Sequence, residues 1–431
     1  MLEFYSLREL LSLVVDNRGR TCPTSDTGLP LIATNCVKNS TLYPVFEKVR
    51  YVDSETYANW FRAHPQPGDL IFVLKGSPGQ VCLTPDPVNF CIAQDMVALR
   101  ANSDLIDPSY LFAALRSPQI QDSISNLHVG SMIAHFKKGD FDRLKIPVPN
   151  RAVQQEIGKV YLRISEKIEH NNNTAATLEE MMRALYCSWF VDFDPVRARA
   201  EGLPPAHMDA GTVALFPDGF GEDGLPVGWQ RRPLIAQAEW VNGAAYKNMH
   251  FSADVDALPI VKIAELKAGI TRGTRFTTTD LGARYRIDRG ELLYSWSGNP
   301  DTSIDAFVWW LGPAWLNQHI FAVRENGSMS LAMLFTMLKH FNPALAEIAR
   351  NKQTTGLGHI TRKDMETFLV TIPTPKVLEA FERILGPLYR RYCETLYETE
   401  SLATLRDTLL PRLMSGELRV GAARDMVEEV V

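Results

Sequence analysis

The side chains that could do chemistry in this chain come in pairs. His135-Phe136-Lys137-Lys138-Gly139-Asp140 returns as His359-Ile360-Thr361-Arg362-Lys363-Asp364. In each copy a histidine is followed closely by two cations, the equipment to donate hydrogen bonds to a phosphate or to a base edge. A histidine opening a strand or helix is more often a structural hydrogen-bonder. The basic neighbours Lys137, Lys138, Arg362 and Lys363 are therefore the better phosphate-contact candidates, with His135 and His359 beside them. Polar, glycine-bearing loops stand just upstream at Gly130-Ser131 and Thr354-Thr355-Gly356, which adds Ser131 and Thr355 to the candidates. The loops Lys75 to Gln80 and Trp296 to Pro300 follow matching apolar runs and differ from each other inside a matching framework. Lys75, Ser77 and Gln80 in one, and Trp296, Ser297 and Asn299 in the other, are the types that read base edges, although glycine and proline there also suit a plain tight turn. Trp309-Trp310 reads as packing rather than as a stacking platform.

Reaction chemistry has no such support. Gly76-Ser77-Pro78-Gly79 and Ser297-Gly298-Asn299-Pro300 lack the G-K-[ST] that a phosphate-binding loop requires, and no G-x-S-x-G, H-E-x-x-H or C-x-x-C occurs. Adenine-methylating enzymes need a glycine-rich cofactor loop and a [DNS]-P-P-[YFW] clamp for a flipped base. Leu203-Pro204-Pro205-Ala206 and Asp194-Pro195-Val196-Arg197 imitate it poorly. The two echoed histidines do not make a metal site, so the expectation is a chain with no catalytic residue, metal or cofactor of its own.

The elements that must position the paired residues are themselves duplicated. Gly68-Asp69-Leu70-Ile71-Phe72 returns as Gly290-Glu291-Leu292-Leu293-Tyr294, Ile92 to Arg100 returns as Leu316 to Arg324, and Ile146-Pro147-Val148-Pro149 returns as Ile372-Pro373-Thr374-Pro375. The spacing of about 224 residues suits a repeated domain and is far too long for a solenoid. Short apolar runs with Pro, Gly and Asp punctuation predict strands, and Pro108 to Leu115 and Ser330 to His340 predict helices. After each I-P-x-P the period changes to alternating threes and fours: Val153, Ile157, Val160, Ile164 and Ile168, then Ala175, Leu178, Met182, Leu185 and Trp189. The second copy continues Val377, Phe381, Ile384 and Leu388, then Leu402, Leu405, Leu409 and Leu413. Two helices of about 40 residues, up to about 60 Å each, would bury these seams by pairing antiparallel as a coiled coil. The polar stretch His170 to Asn173 marks its middle.

The fold expectation is therefore mixed α+β: two duplicated α/β domains, each followed by a long helix. The boundaries are 1–150 for the first domain, 151–192 for its helix, 193–228 for an acidic, Gly- and Pro-rich linker, 229–375 for the second domain, 376–420 for its helix and 421–431 for a flexible tail. A chain of 431 residues with 45% hydrophobic and 22% charged residues is ordinary globular material. A net charge of -5 argues against a stand-alone nucleic-acid binder, so DNA contact would rest on local patches or on partners. The six cysteines follow no ligand spacing and do not recur between the halves, which reads as reduced core thiols in a cytoplasmic protein. Residues 1–17 have neither the length nor the apolarity of a signal or a membrane span.

Taken in order, several motifs resemble the DNA-specificity (S) subunit of type I restriction-modification enzymes. They are P-G-D-L-I-F at Pro67 to Phe72, I-P-V-P-x-x-x-x-Q-Q-x-I at Ile146 to Ile157, L-Y-C-S-W-F-V-D-F-D-P at Leu185 to Pro195, L-P-x-G-W at Leu225 to Trp229 and L-L-P-R-L-M-S-G-E-L at Leu409 to Leu418. The second I-P-x-P lacks the Q-Q pair. The resemblance implies two target-recognition domains, each reading one part of a split site in double-stranded DNA, held apart by the helices. It also implies two modification subunits that carry S-adenosylmethionine and methylate adenine, and restriction subunits that use ATP and Mg2+. A coiled-coil adaptor whose duplicated α/β modules bind proteins is the rival reading, and a self-sufficient methyltransferase is a weaker one for want of a cofactor loop.

Overall fold

The computed structural model describes residues 3–17, 19, 21–127, 134–353 and 357–428. The chain forms two compact units, one made of Met1–Asn171 with Ser401–Val431 and the other of Asn172–Glu400.

In the first unit a four-stranded sheet runs in the order Leu11–Val15, Met96–Ala101, Leu70–Val73, Val81–Leu83, with antiparallel neighbours throughout. Its central strand is apolar at every position because both faces are covered. Leu70 and Phe72 enter one buried cluster with Leu111, Phe112 and Leu115 of helix Pro108–Arg116. Ile71 and Val73 enter another, with Ile32 and Ile92 from the three-stranded sheet Arg50–Val52, Leu29–Ile32, Cys91–Ile92. The helix Pro108–Arg116 starts where Asp107 accepts from the Ser109 and Tyr110 amides and Pro108 takes the first turn.

The second unit repeats this plan. Its main sheet runs Glu239–Asn242, Ile320–Arg324, Leu292–Ser295, Asp305–Val308. The central registers match: Leu70 faces Leu99 and Phe72 faces Val97, as Leu292 faces Val323 and Tyr294 faces Phe321. An ion pair recurs as well, Asp69 with Arg100 at 2.8 Å and Glu291 with Arg324 at 3.2 Å. The helix capped by Ser330 runs Leu331–Arg350, continuing through Pro343 beyond the expected end at His340.

Each unit closes on segments of two 40-residue helices, Arg151–Phe190 and Pro375–Met414. In the first unit Ile157, Val160, Ile164 and Ile168 share a core with Leu402, Leu409, Leu410 and Leu413. In the second, Ala175, Met182, Tyr186 and Trp189 share one with Val377, Phe381, Leu385 and Tyr389. The early part of one helix meets the late part of the other in both cases, which is the antiparallel sense. One expected seam position is corrected: Ile384 is 41% exposed, and Leu385, fully buried, takes its place. The step after Phe381 is thus four residues, which keeps the stripe on the packed side of a 3.6-residue helix.

Two stretches expected to be linker and tail carry structure. Residues 193–228 hold the short helices Asp194–Ala200 and Ala210–Val213, and Phe216 packs its ring on Trp189 at 4.9 Å. Val420–Glu428 is helical, and the i, i+4 pair Ala423 and Val427 is buried in the first unit's core. Five of the six free cysteines are buried, and burial pushes the Cys82 and Cys91 thiols up to about 12, so they pack rather than react. Among the described residues no helix is long and apolar enough to cross a membrane, and none of their His, Cys, Asp or Glu cluster to hold a metal.

Candidate nucleic-acid interface

Sequence separated the loop candidates from the histidine candidates; folding puts them on paired strands. Lys75–Gly76 pairs antiparallel with Ala134–His135, so that Lys75 faces His135. Ser297–Gly298 pairs with Gly358–His359, so that Ser297 faces His359. These ribbons extend the central strands Leu70–Val73 and Leu292–Ser295 past the sheet. Each is tied down the same way: Phe136 donates to the Leu74 carbonyl and Ile360 to the Trp296 carbonyl, both at 2.8 Å.

Glycine makes the turn possible in both copies. Gly76 has φ 89° and Gly298 φ 115°, a region closed to most side chains. Gly358 admits a close approach, because a Cβ there would lie 2.4 Å from the Ala349 carbonyl oxygen.

The candidates divide by how far their polar atoms are already committed. Lys75 and Ser77 are exposed, with Lys75 Nζ 3.9 Å from Asp95. Gln80 is engaged, its Oε1 accepting from the Asn39 amide at 2.7 Å. Trp296 is a packing residue, its Nε1 donating to Asn242 Oδ1 at 2.9 Å and its ring 5.9 Å from Phe321. Asn299 is exposed and accepts from the Asp301 amide at 2.9 Å. His135 is half-buried and His359 exposed. Ser131 and Thr355 lie outside the described residues.

The basic candidates stand at the start of a helical turn in each unit. Thr361 caps Arg362–Thr367 and exchanges hydrogen bonds with Asp364, which places Arg362 and Lys363 in the first turn, exposed and without an ion pair among the described residues. In the first unit Asp140 accepts from the Lys137 amide at 3.1 Å, and Lys137 is exposed. Lys138 is half-buried and already paired with Asp16 at 3.3 Å. Asp140 and Asp364 thus brace the first turns from their third positions, and Lys137, Arg362 and Lys363 stay exposed.

Two residues that sequence reasoning passed over adjoin the ribbons. The Asp95 carbonyl accepts from the Leu74 and Lys75 amides at 2.8 and 3.2 Å, and the His319 carbonyl accepts from Trp296 at 3.4 Å. Asp95 holds a left-handed φ of 65°, and the His319 ring lies 5.7 Å from Trp296. The signal was present: they are an acid and an imidazole at one equivalent position of the echoed stretches Ile92 to Arg100 and Leu316 to Arg324, directly after the shared Gln94 and Gln318.

Residues 4–180 match the type I restriction modification DNA specificity domain, and the resemblance to type I specificity subunits read from the motifs holds. The type I restriction enzyme HindI specificity subunit of Haemophilus influenzae is 22% identical over 406 residues, covering 81% of this chain and 86% of that one. The MjaIX specificity subunit of Methanocaldococcus jannaschii is 22% identical over 325 residues, covering 74% and 70%. Among solved structures, the type I restriction-modification S subunit from M. genitalium aligns over 96% of both chains at 16% identity with a TM-score of 0.48.

Proposed function

We propose that this chain is the non-catalytic DNA-recognition subunit of a type I restriction-modification complex, each unit reading one half of a bipartite, asymmetric site in double-stranded DNA. The observation that carries the reading is the duplicated ribbon, Lys75–Gly76 with Ala134–His135 and Ser297–Gly298 with Gly358–His359, backed in each unit by exposed cations. The two ribbons share a frame and differ in their side chains, as two readers of different half-sites must. The linear domains 1–150 and 229–375 would supply the two readers, and 151–192 and 376–420 the helices between them.

On this reading two modification subunits dock on the chain and carry S-adenosylmethionine for adenine methylation. Restriction subunits add ATP- and Mg2+-dependent cleavage, in the cytoplasm. The acidic total charge fits a subunit whose partners supply much of the phosphate neutralisation. The test is a domain graft: replacing either reader with that of a relative and sequencing the host methylome. Only the corresponding half of the methylated motif is expected to change. A motif altered in both halves would show that the two domains do not read independently, and the absence of a co-purifying methylation partner would return the chain to the adaptor reading.

A further inference from the structure

The duplication shows one place where the first unit lacks a charge that the second possesses. Counting from the caps Asp107 and Ser330, Phe112 and Phe335 stand at the same step, and Arg116 and Lys339 at another. Each cation lies over its phenyl ring, Arg116 at 4.3 Å and Lys339 at 5.7 Å. In the second unit Lys339 is neutralised twice, by Asp305 at 2.9 Å and Glu179 at 3.3 Å. Asp305 faces Ser295 at the sheet edge; at that place in the first unit stands Gln80, whose carbonyl accepts from the Val73 amide. No carboxylate pairs with Arg116 among the described residues.

Arg116 is nevertheless only 7% exposed. Its Nε and Nη2 donate to backbone carbonyls, those of Val81 at 3.0 and 2.7 Å and of Lys38 at 3.2 Å, and also to the Thr41 carbonyl. Its Nη1 is buried and has no hydrogen-bond partner. Beside it lies a cavity of about 310 Å³ lined by Arg116, Arg406, Tyr161, Asn39, Ser40 and Asp407, among others. Arg406 is also 7% exposed, and its ion-pair partner among the described residues, Asp407 at 2.8 Å, turns a largely exposed carboxylate to solvent. Two buried guanidiniums thus share one cavity with less than one buried counter-charge, a costly arrangement unless an anion joins them.

We propose that this cavity binds a small oxyanion of the phosphate class, which supplies to Arg116 the counter-charge that Asp305 and Glu179 supply to Lys339. Guanidinium forks suit phosphate oxygens, and the Tyr161 and Ser40 hydroxyls add donors. Both arginines are buried too deeply for a duplex backbone to reach without opening the unit, so free phosphate is the expected source. The site connects to the reading ribbon through Asn39, whose amide holds Gln80 at 2.7 Å and whose Oδ1 accepts from the Val81 amide at 2.8 Å. Occupancy therefore firms the loop that carries Lys75 and Ser77.

The experiment titrates inorganic phosphate into the full chain in phosphate-free buffer, read by calorimetry and by the thermal unfolding midpoint. Saturable binding of one phosphate per chain is expected, with a midpoint that rises with occupancy. Arg406→Gln should weaken phosphate at least tenfold. Ser40→Asp, which sets a carboxylate at the exposed mouth of the cavity, should abolish binding and raise the midpoint in phosphate-free buffer; circular dichroism verifies that both variants fold. Unchanged phosphate affinity at saturating duplex identifies free phosphate as the occupant, whereas competition by duplex keeps the oxyanion site and assigns it to a backbone phosphate. The proposal is overturned if the parent chain shows no saturable phosphate binding, or if Ser40→Asp binds phosphate as the parent does.

Discussion

Replacing Arg362 and Lys363 together with alanine should alter how DNA binding responds to salt, and by an amount that the structure sets. Both side chains are exposed in the first turn of Arg362–Thr367 and pair with no carboxylate among the described residues, so each is free to displace one condensed counterion from a duplex. Each phosphate contact contributes about 0.9 to the slope of log affinity against log salt, so the double variant should lose about 1.8 of slope. Between about 50 and about 200 mM salt the parent's advantage over the variant then shrinks about tenfold. The matching substitution in the first unit, Lys137 and Lys138 to alanine, should do about half as much, because Lys138 already lies 3.3 Å from Asp16. The assay is fluorescence anisotropy of a duplex carrying the recognised site, measured across a salt series with the assembled complex. Sequence preference should not change, since phosphate contacts position without specifying. An unchanged slope for the Arg362 and Lys363 pair, or a larger change for the Lys137 and Lys138 pair, would refute the assignment.

Other consequences concern the ribbons and their supports. Gly298→Ala meets both a positive φ and a Ser303 Cβ at 2.7 Å, whereas Gly76→Ala meets the φ alone, its nearest atom being Thr34 Oγ1 at 4.0 Å. Within a strain range of about 1–3 kcal/mol, Gly298→Ala should therefore impair recognition of its half-site more than Gly76→Ala impairs the other, as read by methylation of half-site variants. Asp69→Asn, at a carboxylate 3% exposed that holds Arg100 bidentately, should cost about 2 kcal/mol in urea unfolding, and Glu291→Gln, at a longer and more exposed pair, about 1 kcal/mol. Burial, with Arg183 adding to it, holds the His340 imidazole below its ordinary pKa. Its contribution to stability is thus fully present above about pH 6.5 and is lost as pH falls below that, because the unfolded chain takes up the proton first. His340→Phe should flatten the fall in urea midpoint between pH 7.5 and 5.5; an equally steep fall would place the titration elsewhere.

The architecture was legible wherever the chain repeats itself. Leu70 to Val73, and Leu292 to Tyr294 in the second copy, announce central strands because two covered faces demand apolar runs, and the I-P-x-P boundaries mark the passage to long helices. The tail was not legible, since its fully buried positions are only Ala423 and Val427, too short a stripe to announce a packed helix. Ile384 was misplaced because the seam's choice between a step of three and a step of four is settled by the facing side chains, which periodicity alone does not identify. Among the candidate residues, recurrence pointed to histidines that the structure places on the ribbons and to the exposed cations Lys137, Arg362 and Lys363. It could not tell that Trp296 and Gln80 spend their polar atoms on Asn242 and Asn39, because those partners lie 54 and 41 residues away. Asp95 and His319 were missed for the opposite reason: the filter sought what the copies share, and these residues stand where the copies differ.

The first unit is built from two segments that lie far apart in the sequence, Met1–Asn171 and Ser401–Val431. Leu402, Leu409, Leu410, Leu413, Ala423 and Val427 belong to the same core as Ile157, Val160, Ile164 and Ile168, yet the whole of Asn172–Glu400 lies between them in sequence. On a ribosome the second unit has all its residues before the first unit has its own. At ordinary elongation rates the apolar stripe of residues 157–168 must wait on the order of 10–50 s for the strand of helix that covers it. A nascent chain of this kind finishes its second half first, and a message cut short at residue 400 yields one complete reader and one with its core open to water.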